Sequence, residues 1–308
     1  MIFELQEHTN ETSGNFNAGE VIIEHVSNTS VDHPIFELPT ILGVNFSVTK
    51  HVLMLWLVAA FTFFVISWST RKYLKQERLI PTGFMNALEA LVLYIRDFVV
   101  LPNVGSKFSN VWTPLVLTFF FFIVCANAVG LIPLFDMVGI IDRLALHTEQ
   151  ESLVNRILHG GTTITANFNV TAALASIAFF STIIAGTKAH GFLHHWKNMV
   201  PTGLAWPLYF ILIPIEVMSM FVKPFALTMR LAANMTGGHI AILAILSFVF
   251  IFAELFQNVW AGIGVGAFVA VPLAVSISAL EIIVVLVQAY VFTLLTTVFI
   301  GMAINVHH

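Results

Sequence analysis

The chain has 308 residues, of which 58% are hydrophobic and only 10% charged, and its mean hydropathy is +0.90. Soluble domains carry about 25% charged residues, so this composition excludes an ordinary soluble domain and indicates a polytopic membrane protein. The net charge of -4 gives no sign of nucleic-acid binding, and the single cysteine, Cys125, excludes an intramolecular disulfide.

The first 45 residues differ sharply from the rest of the chain. Residues 1–45 are polar and acidic and contain neither Lys nor Arg. The positive-inside tendency therefore favours their transfer across the bilayer, and we predict an extracellular or periplasmic segment. Its opening residues, MIFELQEHTN, lack the basic start and apolar core of a secretory signal. Residues 46–308 are predicted to form a single transmembrane domain.

The first predicted span is His51–Thr70, which is long enough to cross once. The basic run RKYLKQER (71–78) follows it and predicts a cytoplasmic end. Residues 82–100 then form an amphipathic pattern, which predicts a helix along the inner surface and leaves a soluble connector helix as the alternative. One face of this helix holds Asn86, Glu89, Leu93 and Arg96. The other faces hold the apolar residues Phe84, Leu88, Leu91, Val92, Ile95 and Val99.

Two further spans surround a polar loop. The second span is predicted at Pro114–Leu134, with Pro114 in its first turn. It leads to an outer loop at about 135–165, whose role the residues do not indicate. The third span is predicted at Asn169–Thr187, and the basic segment after it indicates a cytoplasmic end.

That basic segment contains three histidines at helical ligand spacing, His190, His194 and His195. A metal site is one interpretation. Because no carboxylate or cysteine accompanies them, we prefer a solvated loop and predict no metal site.

The last two apolar elements exceed the roughly 20 residues of an upright span. The fourth runs from Trp206 to about Phe256, with Pro214 and Pro224 predicting bends inside it. The fifth runs from about Gly262 to Ile300, and its GIGVG start lacks the context of a dinucleotide fingerprint, so it indicates a loop or helix packing. We predict a tilted antiparallel hairpin, and five crossings place the C-terminus in the cytoplasm.

The fourth element carries a polar stripe in the most apolar third of the chain. Glu216, Lys223 and Arg230 are spaced seven apart and so fall near one helical face, with Asn234 one turn beyond Arg230 and His239 further on. Arg is not expected to lose its proton in a protein, so Arg230 brings a permanent charge into the membrane. Such a charge costs about 2.5–3.5 kcal/mol at a helix centre on insertion scales, which indicates function.

The fifth element supplies Glu281 and Gln288, which also lie seven apart. In an antiparallel hairpin their face can meet Arg230, Asn234 and His239, and the five residues can form one cluster. The alternative is that these groups neutralise one another to hold the helices together, which we favour for Lys223 and Glu254. His239 and Glu281 fit either a static pair or a protonatable relay, and we favour the relay, since histidine titrates near pH 6.5.

Two segments, KPFALTMRLAANMTGGH (223–239) and LEIIVVLVQAYVFTLL (280–295), resemble subunit a of the bacterial F-type ATP synthase. PLVLTFFFFIVCANAVGLIP (114–133) and TANFNVT (165–171) support the resemblance more weakly. It implies that Arg230 is the essential residue. It further implies channel roles for Asn234 and Gln288, an inner-side role for Glu216, and a mitochondrial-like order of His239 with Glu281.

The resemblance implies a stator and proton-channel subunit in the cell inner membrane, with two offset half-channels beside a rotating ring of c subunits. The b-type peripheral stalk and the remaining synthase subunits are the other implied partners. Neither a catalytic residue nor a cofactor is expected in this chain, because nothing in it resembles a phosphate-binding loop.

Two other classes of membrane protein remain open at this stage. A secondary transporter also places charges at mid-membrane, but such folds usually contain internal repeats, and the sequence shows none. An intramembrane hydrolase needs two water-coordinating carboxylates or an HExxH-like pair, and neither occurs.

Overall fold

The computed structural model describes residues 47–74, 83–131, 164–197, 206–257 and 259–305, together with residues 19 and 39. Those stretches are almost entirely helical and contain no β-strand, which confirms the all-α fold class. Five of their helices are long and apolar enough to cross a bilayer. The predicted outer segment, most of the predicted loop and the second half of the basic run lie outside the described residues.

In chain order the helices are α1 (Lys50–Leu74), α2 (Phe84–Tyr94), α3 (Leu101–Val104), α4 (Ser106–Leu131), α5 (Phe168–His190), α6 (Phe192–Lys197), α7 (Trp206–Leu255), α8 (Val259–Val265) and α9 (Val271–Ile304). π-Helical turns connect α2 to α3 (Ile95–Val100) and α8 to α9 (Gly266–Ala270), and a 3-10 turn (Ile164–Ala166) precedes α5. Four of the predicted spans agree with the helices to within about four residues at each end: the first with α1, the third with α5, the fourth with α7 and the fifth with α8–α9. Assignments of helix ends themselves usually differ by about one or two residues.

The second span begins earlier than its sequence predicts. Helix α4 starts at Ser106, so Pro114 lies inside the helix. The prediction that Pro114 lies in the first turn is therefore wrong. The start is set by Gly105, whose φ of 80° ends the preceding helix. Polar residues follow within α4 because their hydroxyls bond the helix's own carbonyls, as Thr113 Oγ1 does to Ser109 O at 2.6 Å. A proline within a membrane helix is tolerated where other groups re-satisfy the carbonyl that it leaves without a donor.

The histidine segment is helical, and the prediction of a loop there was wrong. His190 ends α5, and Gly191 follows with φ 84°, a conformation that stops a helix. The chain then enters the short helix α6, which contains His194.

The amphipathic segment is confirmed as a helix, and it extends beyond its predicted end through the π-turn to Val104. Leu88, Ile95 and Val99 are buried, whereas Asn86 and Arg96 are exposed. One predicted member of the apolar side, Phe84, is 63% exposed. The placement of this segment on the inner membrane surface stays a prediction.

The chain divides into two compact units, and most of the long helices contribute to both. Unit 1 comprises the described residues of 1–57, 126–167 and 233–285. Unit 2 comprises those of 58–125, 168–232 and 286–308.

Unit 2 holds the large apolar core, to which α4 and α9 contribute fully buried side chains. Val116 and Ile123 of α4 and Ile300 of α9 are 0% exposed. Phe119 and Phe292 meet edge to face at 5.5 Å between ring centroids. Such aromatic pairs contribute about 0.5–1.5 kcal/mol beyond their burial, so they help to hold α9 against α4.

Helices α2–α3 lie alongside the end of α9 in unit 2, and both run in the same direction. The Tyr94 and Tyr290 rings are 6.3 Å apart, and nine residues later the carbonyl of Asn103 accepts a hydrogen bond from Asn305 Nδ2 at 3.0 Å. The second contact lies further towards the C-terminus on each helix, so the two helices run locally in the same direction.

Unit 1 contains the predicted antiparallel hairpin of the last two elements. A Cβ built on Gly262 would lie 2.6 Å from both Ala253 Cβ and the Val249 carbonyl oxygen, and one on Gly266 would lie 3.1 Å from the Val249 side chain. The end of α7 and the start of α8 therefore run antiparallel, and they are joined by a turn at Gln257, whose φ is 47°. The GIGVG segment serves helix packing, which was one of its two predicted roles.

Candidate proton-path residues

All five polar residues predicted on the fourth element lie on α7, which continues without interruption through Pro214 and Pro224. Only 6% of its most apolar stretch is buried within the chain. Glu216 and Lys223 are partly buried, whereas Arg230 and Asn234 are exposed. The helix therefore presents an exposed cation and an exposed amide.

Arg230 has no acidic partner among the described residues, since none of their carboxylates lies within 4.0 Å of its guanidinium. Arg230 is itself exposed, although the adjacent face of the helix, with Leu227 and Leu231, is buried. Phe225 and Met229, elsewhere around the same helix, are exposed as well. This charge is presented to whatever covers Arg230 and is not used for an internal ion pair of the described residues.

His239 and Glu281 are the two predicted site residues that the structure brings into contact. His239 Nε2 lies 4.0 Å from Glu281 Oε1 in unit 1, with the side chains 22% and 3% exposed. That separation exceeds a hydrogen bond, so the two groups do not share a proton directly in this arrangement. Both Glu281 oxygens are buried and lack a hydrogen-bond partner within the described residues. Such groups are uncommon in folded proteins and call for an explanation.

The hairpin brings Glu281 close to the backbone of α7 at a glycine. A Cβ on Gly238 would lie 2.5 Å from Glu281 Oε1 and 3.0 Å from its carboxyl carbon. Only glycine leaves that space, so Gly238 determines how near the carboxylate approaches α7.

Gln288 is buried on α9 in unit 2, where it is 5% exposed. The predicted shared face of Glu281 and Gln288 is confirmed by burial, because Ile282, Ile283 and Val287 between them are more than half exposed. The meeting of all five predicted residues in one cluster stays a prediction.

Lys223 is oriented towards the last helix. Its Nζ lies 5.6 Å from the centre of the Phe299 ring in unit 2. A cation over an aromatic face contributes about 0.5–1 kcal/mol at exposed sites and more when desolvated. The contact supports a structural role for Lys223, which is the interpretation that its sequence context favours.

Sequence reasoning missed a group of polar residues in unit 1. Thr165 Oγ1 donates to Asn127 Oδ1 and both side chains are fully buried, while Thr236 Oγ1 donates to Ala166 O at 3.5 Å. Asn127 Nδ2 is buried without a partner among the described residues. Buried groups of this kind commonly bind ordered water. The available signal was an asparagine inside the apolar run that forms the end of α4.

The histidines form no candidate metal site in the described stretches, which contain no group of three His, Cys, Asp or Glu side chains that could hold an ion. His190 instead contacts the backbone, with Nε2 2.8 Å from the carbonyl oxygen of Ile304.

The model of the family described as "ATP synthase A chain" matches residues 52–301. A protein of Chlorobium luteolum named ATP synthase subunit a 2 is 38% identical over 93% of this chain and 76% of its own length. ATP synthase subunit a of Pelodictyon phaeoclathratiforme is 37% identical over 94% of this chain and 77% of its own, and subunit a 2 of Prosthecochloris aestuarii is 37% identical over 94% and 81%.

The chain belongs to the ATP synthase subunit a family. As a subunit a it is a membrane component of the ATP synthase complex, which transports protons and makes ATP. The match contains every predicted site residue, from Glu216 to Gln288. Membership in the subunit a family sets aside the secondary transporter and the intramembrane hydrolase.

For this subunit a we expect Gly238→Ala to slow ATP-driven proton pumping without loss of assembled synthase. The added methyl group displaces the flexible end of Glu281 and no backbone. Because a misplacement of about 1 Å can cost about 100-fold in a positioned group, we expect a decrease of about three- to ten-fold. The measurement is pumping by inverted membrane vesicles. The matched control is Gly264→Ala, whose Cβ meets nothing within 4 Å and which lies outside α7, and equal rates in the two variants would contradict the positioning of Glu281 by Gly238.

Proposed function

We propose that this chain is the stator and proton-channel subunit of its ATP synthase, with two offset half-channels and an essential Arg230 that couple proton flow to rotation of the c-subunit ring. It is not catalytic on its own, and ATP is made on other subunits of the complex. Its family membership supports the general role, and the residues of α7 and α9 support the detail.

The observation that carries the proposal is the exposed Arg230. The described chain offers it no carboxylate, and its side chain is exposed on α7. An unpaired charge at mid-membrane costs at least about 2.5–3.5 kcal/mol, so a partner is expected to compensate it from outside the chain. A ring whose hairpin subunits each carry a membrane-embedded carboxylate supplies such a partner.

The outer half-channel is assigned to His239, Asn234, Glu281 and Gln288. The close approach of His239 to Glu281 and the lack of hydrogen-bond partners on the Glu281 oxygens, among the described residues, favour protonatable groups over a static pair. The polar group of Asn127, Thr165 and Thr236 belongs to the same unit as His239, Asn234 and Glu281 and supports an aqueous route there.

The inner half-channel is assigned to Glu216, with Lys223 in a supporting role. Glu216 is partly buried on α7, in the same unit as Arg230. A ring carboxylate would accept a proton from the outer route, pass through lipid, and release the proton beside Glu216. The N-terminus would then lie outside and the C-terminus in the cytoplasm.

Arg230 keeps the two routes separate in this mechanism. Its fixed charge attracts each deprotonated ring carboxylate and repels protons, so a proton cannot pass directly between the half-channels. Each crossing releases about 2.3 kcal/mol per 100 mV, and this free energy drives the ring only if that leak is blocked.

Cross-linking tests the ring contact. In a Cys125→Ser background, a cysteine at Asn234 labelled with a thiol-reactive photo-cross-linker is expected to form an adduct with a small two-helix ring subunit of the assembled complex, because Asn234 is exposed one turn from Arg230. Phe64→Cys on α1, also exposed, is the matched control and is expected to form none. Without an adduct at position 234, the proposed ring surface of α7 would be wrong.

A further inference from the structure

Two other elements of unit 2 contact the last turn of α9. Asn305 Nδ2 donates to the carbonyl oxygen of Asn103 at 3.0 Å, and His190 Nε2 donates to that of Ile304 at 2.8 Å. The backbone at Gly301 passes so close to Asn103 that a Cβ there would lie 2.9 Å from the Asn103 carbonyl carbon. We call these five residues the C-terminal junction.

The α3 side of the junction is itself held in place. Asn103 Nδ2 donates to the carbonyl oxygen of Val99 at 2.7 Å, and Val99 lies in the π-turn before α3. Val99, Val100 and Val104 are almost completely buried in the core of unit 2. The carbonyl that receives Asn305 therefore belongs to a packed segment and not to a free loop.

On the α5 side, His190 bonds a carbonyl oxygen of α9 that has no donor within α9 itself. The last four carbonyls of an α-helix have no intrahelical donor, and that of Ile304 is one of them. A carbonyl oxygen can only accept, so Nε2 of His190 is the donor. His190 thus caps α9 from the end of α5.

We propose that the C-terminal junction sets the axial position of α9, and that Asn103, His190, Gly301 and Asn305 are therefore positioning residues for Gln288. The proposal rests on the proposed function, in which Gln288 lines the proton path. Gln288 precedes Gly301 by 13 residues on one helix, about 20 Å at 1.5 Å per residue. A slip of one residue would move it about 1.5 Å and rotate it by about 100°, which would turn its buried face outward.

The test is the double variant His190→Ala with Asn305→Ala in the complete synthase, which removes both side-chain contacts without adding bulk. The matched control is His194→Ala with Met302→Ala. Both residues are exposed, His194 four residues after His190 and Met302 three residues before Asn305. The amount of assembled synthase and the ATP-driven pumping rate per assembled complex are measured in inverted vesicles. We expect normal assembly and, because misplacement by about 1 Å can cost about 100-fold, a pumping rate at least about three-fold below the control.

A second pair of variants approaches the same contact by adding a methyl group. Gly301→Ala is expected to lower the rate per complex, whereas Gly264→Ala, with nothing within 4 Å of its Cβ, is expected to leave it unchanged. Replacement of His190 and Asn305 by Gln keeps an N–H donor at both positions and is expected to restore most of the rate. A general structural role would reduce the number of complexes and leave the rate of each one normal.

Normal pumping per complex in both the double Ala variant and Gly301→Ala would overturn the junction's positioning role. Arg230→Ala, measured in parallel, separates this outcome from failure of the proposed function. If Arg230→Ala stops pumping while the junction variants pump normally, only the junction is wrong; if Arg230→Ala pumps normally, the proposed function fails.

Discussion

Replacement of Arg230 by Ala is expected to abolish ATP-driven proton pumping while the synthase stays assembled. The side chain is exposed and has no described acidic partner, so its removal takes no ion pair from the described residues. What is lost is the fixed charge that separates the two proposed routes. Since that charge is what blocks the leak, passive proton conductance of the vesicles is also expected to rise.

The measurement is quenching of a pH-sensitive dye by inverted vesicles, with assembled complex quantified in the same membranes. Arg96→Ala is the matched control, because Arg96 is also exposed but lies on the π-turn beside Asp97, outside the stripe of α7. Arg230→Lys is expected to retain only part of the activity, since an ammonium keeps the charge but lacks the planar fork of a guanidinium. Normal pumping by Arg230→Ala would contradict the proposed function.

Glu281→Gln is expected to cause the second-largest loss. The amide keeps the size of the carboxylate but cannot exchange a proton with His239 at physiological pH. Positioned proton-transfer groups commonly contribute about 100- to 10,000-fold, so pumping per complex is expected to fall at least about ten-fold. Assembly is expected to be normal or improved, because a buried carboxylate without hydrogen-bond partners among the described residues is replaced by a neutral group.

Glu254→Gln is the matched control for this substitution. Glu254 lies at the exposed end of α7 and outside the proposed path, so its variant is expected to pump normally. His239→Gln should slow pumping in the same assay. Unaltered pumping by Glu281→Gln would favour the static pair over the relay.

The long apolar elements could be predicted from the sequence because hydropathy sets where a helix can cross a bilayer. The hairpin was also predictable, since the two last elements are too long to stand upright and are joined by a short turn. Helix starts among polar residues were not predictable in the same way. The start of α4 depends on the positive φ of Gly105 and on hydroxyl groups that bond their own helix, and hydropathy reports neither.

The candidate site, too, could be predicted only in part from the sequence. The charges of α7 and the seven-residue spacing of Glu281 and Gln288 are visible in the sequence, because an unexpected charge in an apolar run is a local signal. The importance of Gly238 and the contact of Asn127 with Thr165 are not, since each depends on two segments that meet only in the folded chain.

The alignment of α2–α3 with the end of α9 has a consequence for how this chain sits in its membrane. The contacts from Tyr94 to Asn103 keep the two helices together over about 14 Å of α2–α3 at 1.5 Å per residue, so the inclination of one constrains that of the other. Asn86 and Arg96 are exposed on this segment, and if it lies along the inner membrane surface, as its sequence predicts, the final turns of α9 would slope as well. The proposed ring would then meet an inclined α9, and neighbouring ring subunits would contact this helix at different depths in the membrane.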